Sequence, residues 1–374
     1  MRASEAVVEA RRQIEVCNAC RYCEGYCAVF PALERRRAFT PEDVSYLANL
    51  CHGCKGCYYA CQFAPPHEFG INLPQVLAEV RNQTYAHYAW PRMFAGAFER
   101  GGVLIAITVA LCVAALLIGV SLLRAPDVLI ASHTGAGAFY RIIPMDLMLA
   151  VAGASFLFSL AAILAGLVRF WRDVGVNALE RPIGVPLALA AGDTLSLRNL
   201  GGGGHGCNDK DESFSMTRRY LHHCMFYGFM LCFLATISGW VHHTFLGIDA
   251  PYPLLSVPVI LGTLGGIGLV VGPGGLLWLK AIADPAPAAG RLLGAEVALL
   301  LLLLSISLSG LALLFLRESA AMGILLALHL GLVAAFFVTA PYCKFVHGFY
   351  RAAALLKNRF EQNGSLFKSA TDVN

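Results

Sequence analysis

Charged side chains are scarce in this sequence. Asp, Glu, Lys and Arg make up 14% of its 374 residues, whereas 57% of the residues are hydrophobic. Soluble globular domains carry about 25% charged residues, so the composition excludes that class and predicts an integral membrane protein. The first 100 residues hold many of the Arg and Glu residues, and long later stretches hold almost none. The sequence therefore divides into a polar N-terminal region and an apolar remainder.

The N-terminal segment lacks the marks of a secretory signal peptide. It has no continuous apolar run and no small-residue cleavage site ahead of its first cysteine, Cys17. We therefore expect the polar region to stay in the cytoplasm. The net charge is +4, and its basic residues flank apolar stretches instead of forming one patch. Membrane topology explains this distribution, and nucleic acid is not an expected partner.

Six apolar stretches are long enough to cross a hydrocarbon core, which takes roughly 20 helical residues. They lie near residues 101–123, 145–168, 220–245, 254–279, 293–316 and 322–348. The fourth stretch contains Gly272-Pro273-Gly274, where we expect a kink or a break. The predicted fold class is all-α, with a helical ferredoxin-like head at 1–92 and a six-helix transmembrane bundle at 93–350. A cytoplasmic loop is predicted at 169–219 and a cytoplasmic tail at 351–374.

Lys and Arg residues favour one side of the predicted membrane. If the head is cytoplasmic, the external loops hold only Arg124, Arg141 and Arg317. The cytoplasmic segments then hold Arg169, Arg172, Arg181, Arg198, Lys210, Arg218, Arg219, Lys280, Arg291, Arg351, Lys357, Arg359 and Lys368. This bias follows the positive-inside rule and predicts that both termini are cytoplasmic.

Eight of the thirteen cysteines repeat one spacing, C-x2-C-x2-C-x3-C. In iron–sulfur proteins with this spacing, the fourth cysteine of each run ligates the other cluster. We therefore predict two [4Fe–4S] clusters. Cluster 1 has the ligands Cys17, Cys20, Cys23 and Cys61, and cluster 2 has the ligands Cys51, Cys54, Cys57 and Cys27. Zinc prefers two ligand pairs, and disulfides do not suit closely spaced cysteines in a reducing compartment.

The segment between the two runs predicts a helix. Thr40 is a good N-cap, Pro41 suits the first turn, and Glu42 and Asp43 place acidic residues there, so the helix should extend to about Leu50. The head is thus expected to be helical instead of β-rich. Two clusters in one small head indicate a relay of single electrons.

Histidines mark both ends of two predicted membrane helices. They are His222, His223, His242 and His243 in the third helix, and His329 and His347 in the sixth. Ionisable residues at such depth are functional candidates, although a single interfacial histidine can also simply anchor a helix end. His329 and His347 are eighteen residues apart, which returns to one helix face and spans about 27 Å.

Because these two helices run in opposite directions, the histidines form two levels. We predict two bis-histidine haem b sites, since neutral imidazoles from facing helices are good axial ligands. His223 and His347 form the inner site, and His242 and His329 form the outer site. Helical geometry leaves His222 and His243 open as alternatives.

The other histidines and cysteines carry weaker signals. His52 and His67 adjoin cysteine ligands and can tune a cluster, whereas His87 and His133 are interpreted as interfacial or loop residues. The stretch 201–207 contains G-x-G-x-x-G but follows no strand, so we interpret it as a close-packed inside loop and not a dinucleotide site. His205 and Cys207 are uncertain additions to that loop. The remaining cysteines, interpreted as core residues, are Cys112, Cys224, Cys232 and Cys343.

Several segments together resemble one family, the tricarballylate-utilisation B proteins, also called citrate-utilisation B proteins. Besides the cysteine runs, they are Ala64-Pro65-Pro66-His67-Glu68-Phe69, Asn72-Leu73-Pro74, Tyr88-Ala89-Trp90-Pro91, the glycine loop, Arg218-Arg219-Tyr220-Leu221-His222-His223 and Tyr227-Gly228-Phe229. The sixth helix, with His329 and then Pro341-x2-Lys344-x2-His347, also resembles the haem-binding γ subunit of respiratory nitrate reductase.

The resemblance implies a role in the bacterial inner membrane. A protein of this family reoxidises an FAD-dependent dehydrogenase that converts tricarballylate to cis-aconitate, and it delivers the electrons to quinone. A similar module is joined to a flavoprotein in an enzyme that makes precorrin-3B. Since this chain shows no flavin-binding half, it is expected to be an electron-transfer subunit and not a stand-alone enzyme. Its expected partners are the dehydrogenase, quinone and membrane lipid.

Other functions compete with this interpretation. The chain could serve another flavoenzyme, or it could oxidise quinol and run the relay in reverse, because reduction potentials depend on the surroundings of each centre. A membrane transporter or redox sensor is a candidate from another class. A transporter often has repeats and broken helices, for which Gly272-Pro273-Gly274 is the single candidate, and a sensor needs an output domain. The sequence identifies no quinone-site residues.

Overall fold

The computed structural model describes residues 4–125, 127–175, 183–202 and 205–371. The predicted loop residues Arg181, Gly203 and Gly204, and the side chain of Lys368, lie outside the described part. Within it, the chain is helical apart from one isolated β-bridge between Cys207 and Ser215, so the all-α fold class is confirmed.

Five helices build the head. They are α1 (Glu5–Cys20), α2 (Val29–Glu34), α3 (Pro41–Leu50), α4 (Gly56–Tyr59) and α5 (Leu73–Tyr88). Helix α3 begins with a capping box, in which the Thr40 side chain accepts from the Asp43 amide and Asp43 accepts from the Thr40 amide. The predicted helix from this cap to Leu50 is therefore confirmed. Helices α1, α3 and α5 pack around a buried apolar core that includes Ile14, Tyr46, Leu47, Leu77 and Val80.

Six longer helices are long and apolar enough to cross a membrane. They are α6 (Ala97–Leu123), α8 (Met145–Val174), α10 (Thr217–Leu246), α11 (Val257–Ile282), α12 (Leu293–Phe315) and α13 (Met322–Thr339). Short helix α7 (Ala138–Ile142) lies between α6 and α8. Large apolar side chains face outward from these helices, for example Leu122 at 80% exposure and Leu111 at 65%. Such a surface suits lipid, and the chain is a multi-pass membrane protein.

Helix α11 does not break where the sequence suggested. It continues through Pro273 from Val257 to Ile282. Its glycines instead allow close approach to α10, because a Cβ on Gly272 would lie 2.5 Å from the Met225 amide nitrogen. The glycine-rich segment therefore serves helix packing within the α10–α11 pair.

The predicted sixth helix, 322–348, is wrong beyond Thr339. Two short 3-10 turns follow at Ala340–Tyr342 and Lys344–Val346, and a separate helix α14 (His347–Thr371) then begins. Pro341 lies in the first turn, and a proline there has no N–H with which to continue an α-helix. His329 and His347 thus lie on different helices, and the single-face argument does not apply to them.

Helix α14 runs back along the head. It packs against α3 and against α9 (Gly184–Leu195), which lies in the connection between α8 and α10. Arg36 of the head donates to Glu361 at 2.5 Å, and Arg359 pairs with Asp193 of α9. The predicted boundary between bundle and tail, at 350, falls inside this helix.

The head rests on one end of the bundle, which we call the head side. Tyr88 donates to Asp173 at the end of α8 over 2.9 Å, and Tyr342 donates to the Trp90 carbonyl over 2.9 Å. Tyr59 donates to Asp284, just beyond α11, over 2.6 Å. The cysteine runs are thereby held against the helix ends that carry His222 and His347.

Candidate functional site

The predicted ligands of cluster 1 line one cavity at the outer part of the head. Cys17 and Cys20 lie in the last turns of α1, where Arg21 adopts a left-handed conformation (φ 57°) and turns the chain toward Cys23. Cys61 follows α4 and completes the set in the same cavity. Burial, together with the thiols of Cys61, Cys23 and Cys20, raises the pKa of Cys17 to about 12. The four thiols are thus neighbours, although two runs supply them.

The predicted ligands of cluster 2 lie deeper. Cys51 ends α3 and Cys54 lies in the next loop, each at 8% exposure, and Cys57 lies in α4. Burial and the thiols of Cys54 and Cys51 raise the pKa of Cys27 well above its ordinary value. The structure therefore brings Cys27 to the second run and Cys61 to the first. Cys57 also borders the cluster 1 cavity, so the two sets adjoin.

The donor chemistry fits iron–sulfur clusters better than a single metal ion. Among the described residues, no group of three His, Cys, Asp or Glu side chains converges closely enough for one ion. A cluster is larger than an ion and takes one thiolate at each iron. A thiol binds a metal centre as its thiolate, so a bound cluster would deprotonate these cysteines.

His222 and His347 face each other directly beneath the head. Their ring centroids lie 6.0 Å apart, with 42° between the ring planes. An imidazole nitrogen binds a transition metal at about 2 Å, so two imidazoles on opposite sides of one metal have centroids roughly 6 Å apart. His347 donates from Nδ1 to the Lys344 carbonyl at 2.5 Å, which leaves its Nε2 available. His222 and His347 are therefore the residues that would hold a haem at this position.

His223 points elsewhere. Its Nε2 lies 3.1 Å from the Ser196 carbonyl oxygen beyond α9, and its ring stacks on Tyr227 at 5.9 Å. The structure therefore brings His222, and not the favoured His223, to His347. Helical counting could not separate the doublet, because both residues lie at the same level of α10.

On the far side of the bundle, the three predicted histidines hold separate partners. His329 is bonded through Nδ1 to Ser309 (3.0 Å) and the Ile306 carbonyl (3.1 Å) of α12. His242 donates to the Ser238 carbonyl at 2.7 Å, and His243 contacts Asp249 at 2.9 Å. Within the described residues, no ring contact joins His329 to His242 or His243. The far-side pairing thus stays a prediction.

Three arginines that the sequence analysis did not single out as site residues surround the loop from Cys51 to Cys54. Arg81 and Arg351 donate to the Cys51 carbonyl at 2.9 and 3.0 Å, and Arg218 donates to the Gly53 carbonyl at 2.7 Å. Helical spacing offers a signal for two of them. Arg218 precedes His222 by four residues and Arg351 follows His347 by four, so each shares a helix face with its histidine.

The weaker candidates divide between the head and the loops. His52 is half-buried and donates to the Leu50 carbonyl at 2.8 Å. Desolvation of its ring, with Arg351 nearby, lowers its pKa well below the usual range. His67 instead accepts from the Phe69 amide. The glycine loop contacts the head, because the Asn208 amide donates to the Cys54 carbonyl at 2.9 Å and Cys207 is buried beside it.

A cleft opens at the head side, between α5, the start of α6 and the start of α12. Its lining includes Arg81, Tyr85, Phe98, Glu296 and Lys344. Glu296 forms ion pairs with both Lys280 and Lys344. The cleft therefore combines an apolar wall with hydrogen-bond donors and a buried carboxylate.

Comparison with known proteins agrees with this two-part organisation. Residues 10–87 match the citrate utilization protein B Fer4-like domain, and residues 99–366 match the family described as citrate utilization protein B. The chain is 47% identical over 363 residues to the citrate utilization protein B of Escherichia coli, covering 96% of this chain and 93% of that protein. No solved structure matches. The chain therefore belongs to the citrate utilization protein B family.

Proposed function

We propose that this chain is a membrane electron-transfer protein that passes electrons from a partner dehydrogenase, through two [4Fe–4S] clusters and haem b, to quinone. The observation that carries the proposal is the stacking of three ligand sets. The cluster 1 thiols adjoin the cluster 2 thiols, and the cluster 2 loop is hydrogen-bonded to the helices that present His222 and His347. When bound, the clusters and haem supply one-electron redox chemistry.

The chain's own residues would hold these groups at fixed separations. Cys17, Cys20, Cys23 and Cys61 bind cluster 1, and Cys51, Cys54, Cys57 and Cys27 bind cluster 2. We assign His222 and His347 to the haem on the head side. His329, with His242 or His243, is the candidate for a second haem on the far side, where the apolar bundle excludes water from the relay.

Electron uptake is proposed at the cluster 1 end of the head. Cys20 is exposed there, and the neighbouring Tyr22 is 70% exposed. The donor is proposed to be an FAD-dependent dehydrogenase, because a two-electron flavin can release single electrons to such a relay. The Escherichia coli relative is named for citrate utilization. We infer a tricarboxylate substrate for the dehydrogenase, with tricarballylate as the first candidate from the sequence resemblance.

Quinone is the proposed acceptor, and the head-side cleft is its candidate site. The cleft lies where α12 begins, so a lipid-dissolved molecule can reach it. Arg81 and Tyr85 offer donors to quinone oxygens, and Lys344 and Glu296 can relay protons. Quinone takes up two electrons and two protons to become quinol. The positive-inside bias supports a cytoplasmic location for this end of a chain in the bacterial inner membrane.

The proposal is tested with protein purified anaerobically in detergent. We expect about eight non-haem iron atoms and eight acid-labile sulfides per chain, and haem bands that sharpen on reduction. Adding a purified FAD-dependent tricarballylate dehydrogenase with tricarballylate should then reduce the haem, and a water-soluble quinone should reoxidise it. Protein that lacks sulfide would contradict the head assignment. Haem that the flavoprotein and substrate never reduce would contradict the assigned donor.

A further inference from the structure

Three arginines place positive charge at the deeper cluster site. Arg81 of α5, Arg218 of α10 and Arg351 of α14 come from separate parts of the chain. All three donate to backbone carbonyls of the segment Ala48–Gly53, which carries the ligand Cys51. A carbonyl accepts a hydrogen bond but does not neutralise a charge. The contacts thus fix the arginines in place without cancelling their positive charge.

Carboxylates near this site offset little of that charge. Arg218 lies 3.8 Å from Asp209, whereas Arg81 and Arg351 form no ion pair within the described residues. The Nε of Arg351 is also buried without a hydrogen-bond partner there. Glu296, the other nearby acid, is shared by Lys280 and Lys344. The positive charge of these arginines is therefore available to interact with an anionic group bound at this site.

The charge of Arg351 persists at neutral pH. A guanidinium is not deprotonated in proteins, so Arg351 keeps its positive charge where it donates to the Cys51 carbonyl. A [4Fe–4S] cluster with four thiolate ligands is itself anionic and gains one more negative charge on reduction. Fixed cations beside it thus stabilise the reduced form more than the oxidised form.

The cluster 1 site has no such arrangement. Besides cysteines, its cavity is lined by Val16, Tyr22, Phe30, Gln62, Phe63, Ile71 and Leu73. The adjacent Arg21 is exposed and donates to the Asn18 carbonyl, so water and salt screen its charge. The two sites therefore differ in buried positive charge as well as in depth.

We propose that Arg81, Arg218 and Arg351 raise the reduction potential of cluster 2 above that of cluster 1, so that electrons run from the exposed end of the head toward His222 and His347. This inference rests on the proposed function, because it requires both clusters. Burial alone would act in the opposite direction, since low dielectric disfavours the more highly charged reduced form. The positive charge of the arginines outweighs this effect of burial, so cluster 2 has the higher reduction potential. In each transfer, cluster 1 loses one electron, cluster 2 gains it, and no proton moves.

The test is an anaerobic redox titration of the full chain in detergent, followed by electron paramagnetic resonance. Cys17→Ala and Cys54→Ala identify which signal belongs to which cluster. In the unaltered chain, cluster 2 should be reduced first. Arg351→Gln should shift the electron equilibrium between the clusters at least tenfold toward cluster 1, which is 59 mV for one electron. Arg351→Lys, which keeps the charge, should restore most of that shift.

Arg359→Gln is the matched control. Arg359 lies on the same helix as Arg351, but it pairs with Asp193, away from the clusters. This substitution should leave both potentials unchanged. Three results would each overturn this inference while leaving the proposed function standing. They are reduction of cluster 1 before cluster 2 in the unaltered chain, unchanged potentials in Arg351→Gln with both clusters present, and an equal shift of potential in Arg359→Gln. Absence of clusters from the unaltered chain would overturn the proposed function as well. If Arg351→Gln fails to assemble, Arg81→Gln and Arg81→Lys are judged by the same criteria.

Discussion

The imidazole rings of His222 and His347 lie 6.0 Å apart, centroid to centroid, although they belong to different helices in separate parts of the chain. Arg218 and Arg351, one helical turn from each histidine, reach the cluster 2 loop. Only a few hydrogen-bonded residues thus separate the cluster 2 loop from the two imidazoles.

The histidine doublet gives the first prediction. His222→Ala should abolish the low-spin haem signal on the head side, because an axial ligand is lost. His223→Ala should retain that signal, since His223 faces the Ser196 carbonyl. Haem content and the reduced-minus-oxidised spectrum of both variants provide the measurement. Loss of haem in His223→Ala, with His222→Ala unaffected, would reverse the assignment.

Cluster composition gives the second prediction. Cys61→Ala should remove cluster 1 and leave the cluster 2 signal, although Cys61 belongs to the second run. Non-haem iron and acid-labile sulfide should each fall by about half, since every [4Fe–4S] cluster needs four ligands. Cys207→Ala is the control, because Cys207 is buried and its thiol bonds the Leu200 carbonyl. Iron loss from Cys207→Ala, or loss of the cluster 2 signal from Cys61→Ala, would contradict the ligand sets.

Close packing between α10 and α11 gives the third prediction. A Cβ on Gly228 would lie 2.9 Å from both the Gly265 carbonyl oxygen and the Leu269 amide nitrogen. Gly228→Ala should therefore destabilise the bundle by about 1–3 kcal/mol, the usual cost of overpacking. Gly119→Ala in α6, with no atom within 4 Å of the added carbon, should be neutral or slightly stabilising. Thermal unfolding in detergent compares them, and equal stability of the two would refute the packing account.

The ion pair between Arg36 and Asp43 in the head gives a prediction about pH. Burial raises the pKa of Asp43 and is the largest single influence on it. The hydrogen bond and charge of Arg36, together with the hydrogen bonds from Thr40, outweigh burial, so the net pKa lies below its usual value. A depressed folded-state pKa contributes stability above the unfolded value of about 3.9, and that stability is lost as pH falls through the folded value. Asp43→Asn should be less stable at neutral pH, and the gap should close on acidification. Unfolding midpoints measured from pH 7 downward test this, and a gap that widens in acid would contradict it.

Much of the architecture follows from local sequence. Thr40 to Asp43 capped α3 as predicted, and six apolar stretches formed six long helices, because composition and capping act over short distances. The prediction from hydrophobicity was wrong at Pro341, because the apolar stretch continues there but the helix has ended. At Gly272 and Pro273 the sequence allowed for a break, but the helix continues, since α11 packs closely against α10 there.

The residues of the candidate site also divide into those that the sequence predicts and those that only the fold reveals. Spacing was enough to propose which cysteines share a cluster. The structure brings Cys61 close to Cys17 and Cys27 close to Cys54, and the two ligand sets stay a prediction. The choice of His222 over His223 required the path of α14, and the contacts of Arg81, Arg218 and Arg351 required three segments to meet at one loop. Such long-range contacts have no signature in a single sequence without the fold.

The most direct test of the account is a single anaerobic titration of the purified chain with a reductant, followed simultaneously by electron paramagnetic resonance and haem absorbance. The account predicts two [4Fe–4S] signals and a low-spin haem signal, with haem reoxidation by added quinone drawing electrons from both clusters. A chain that contains no iron–sulfur signal, or whose clusters stay reduced while quinone oxidises the haem, would contradict a relay from the head into the membrane.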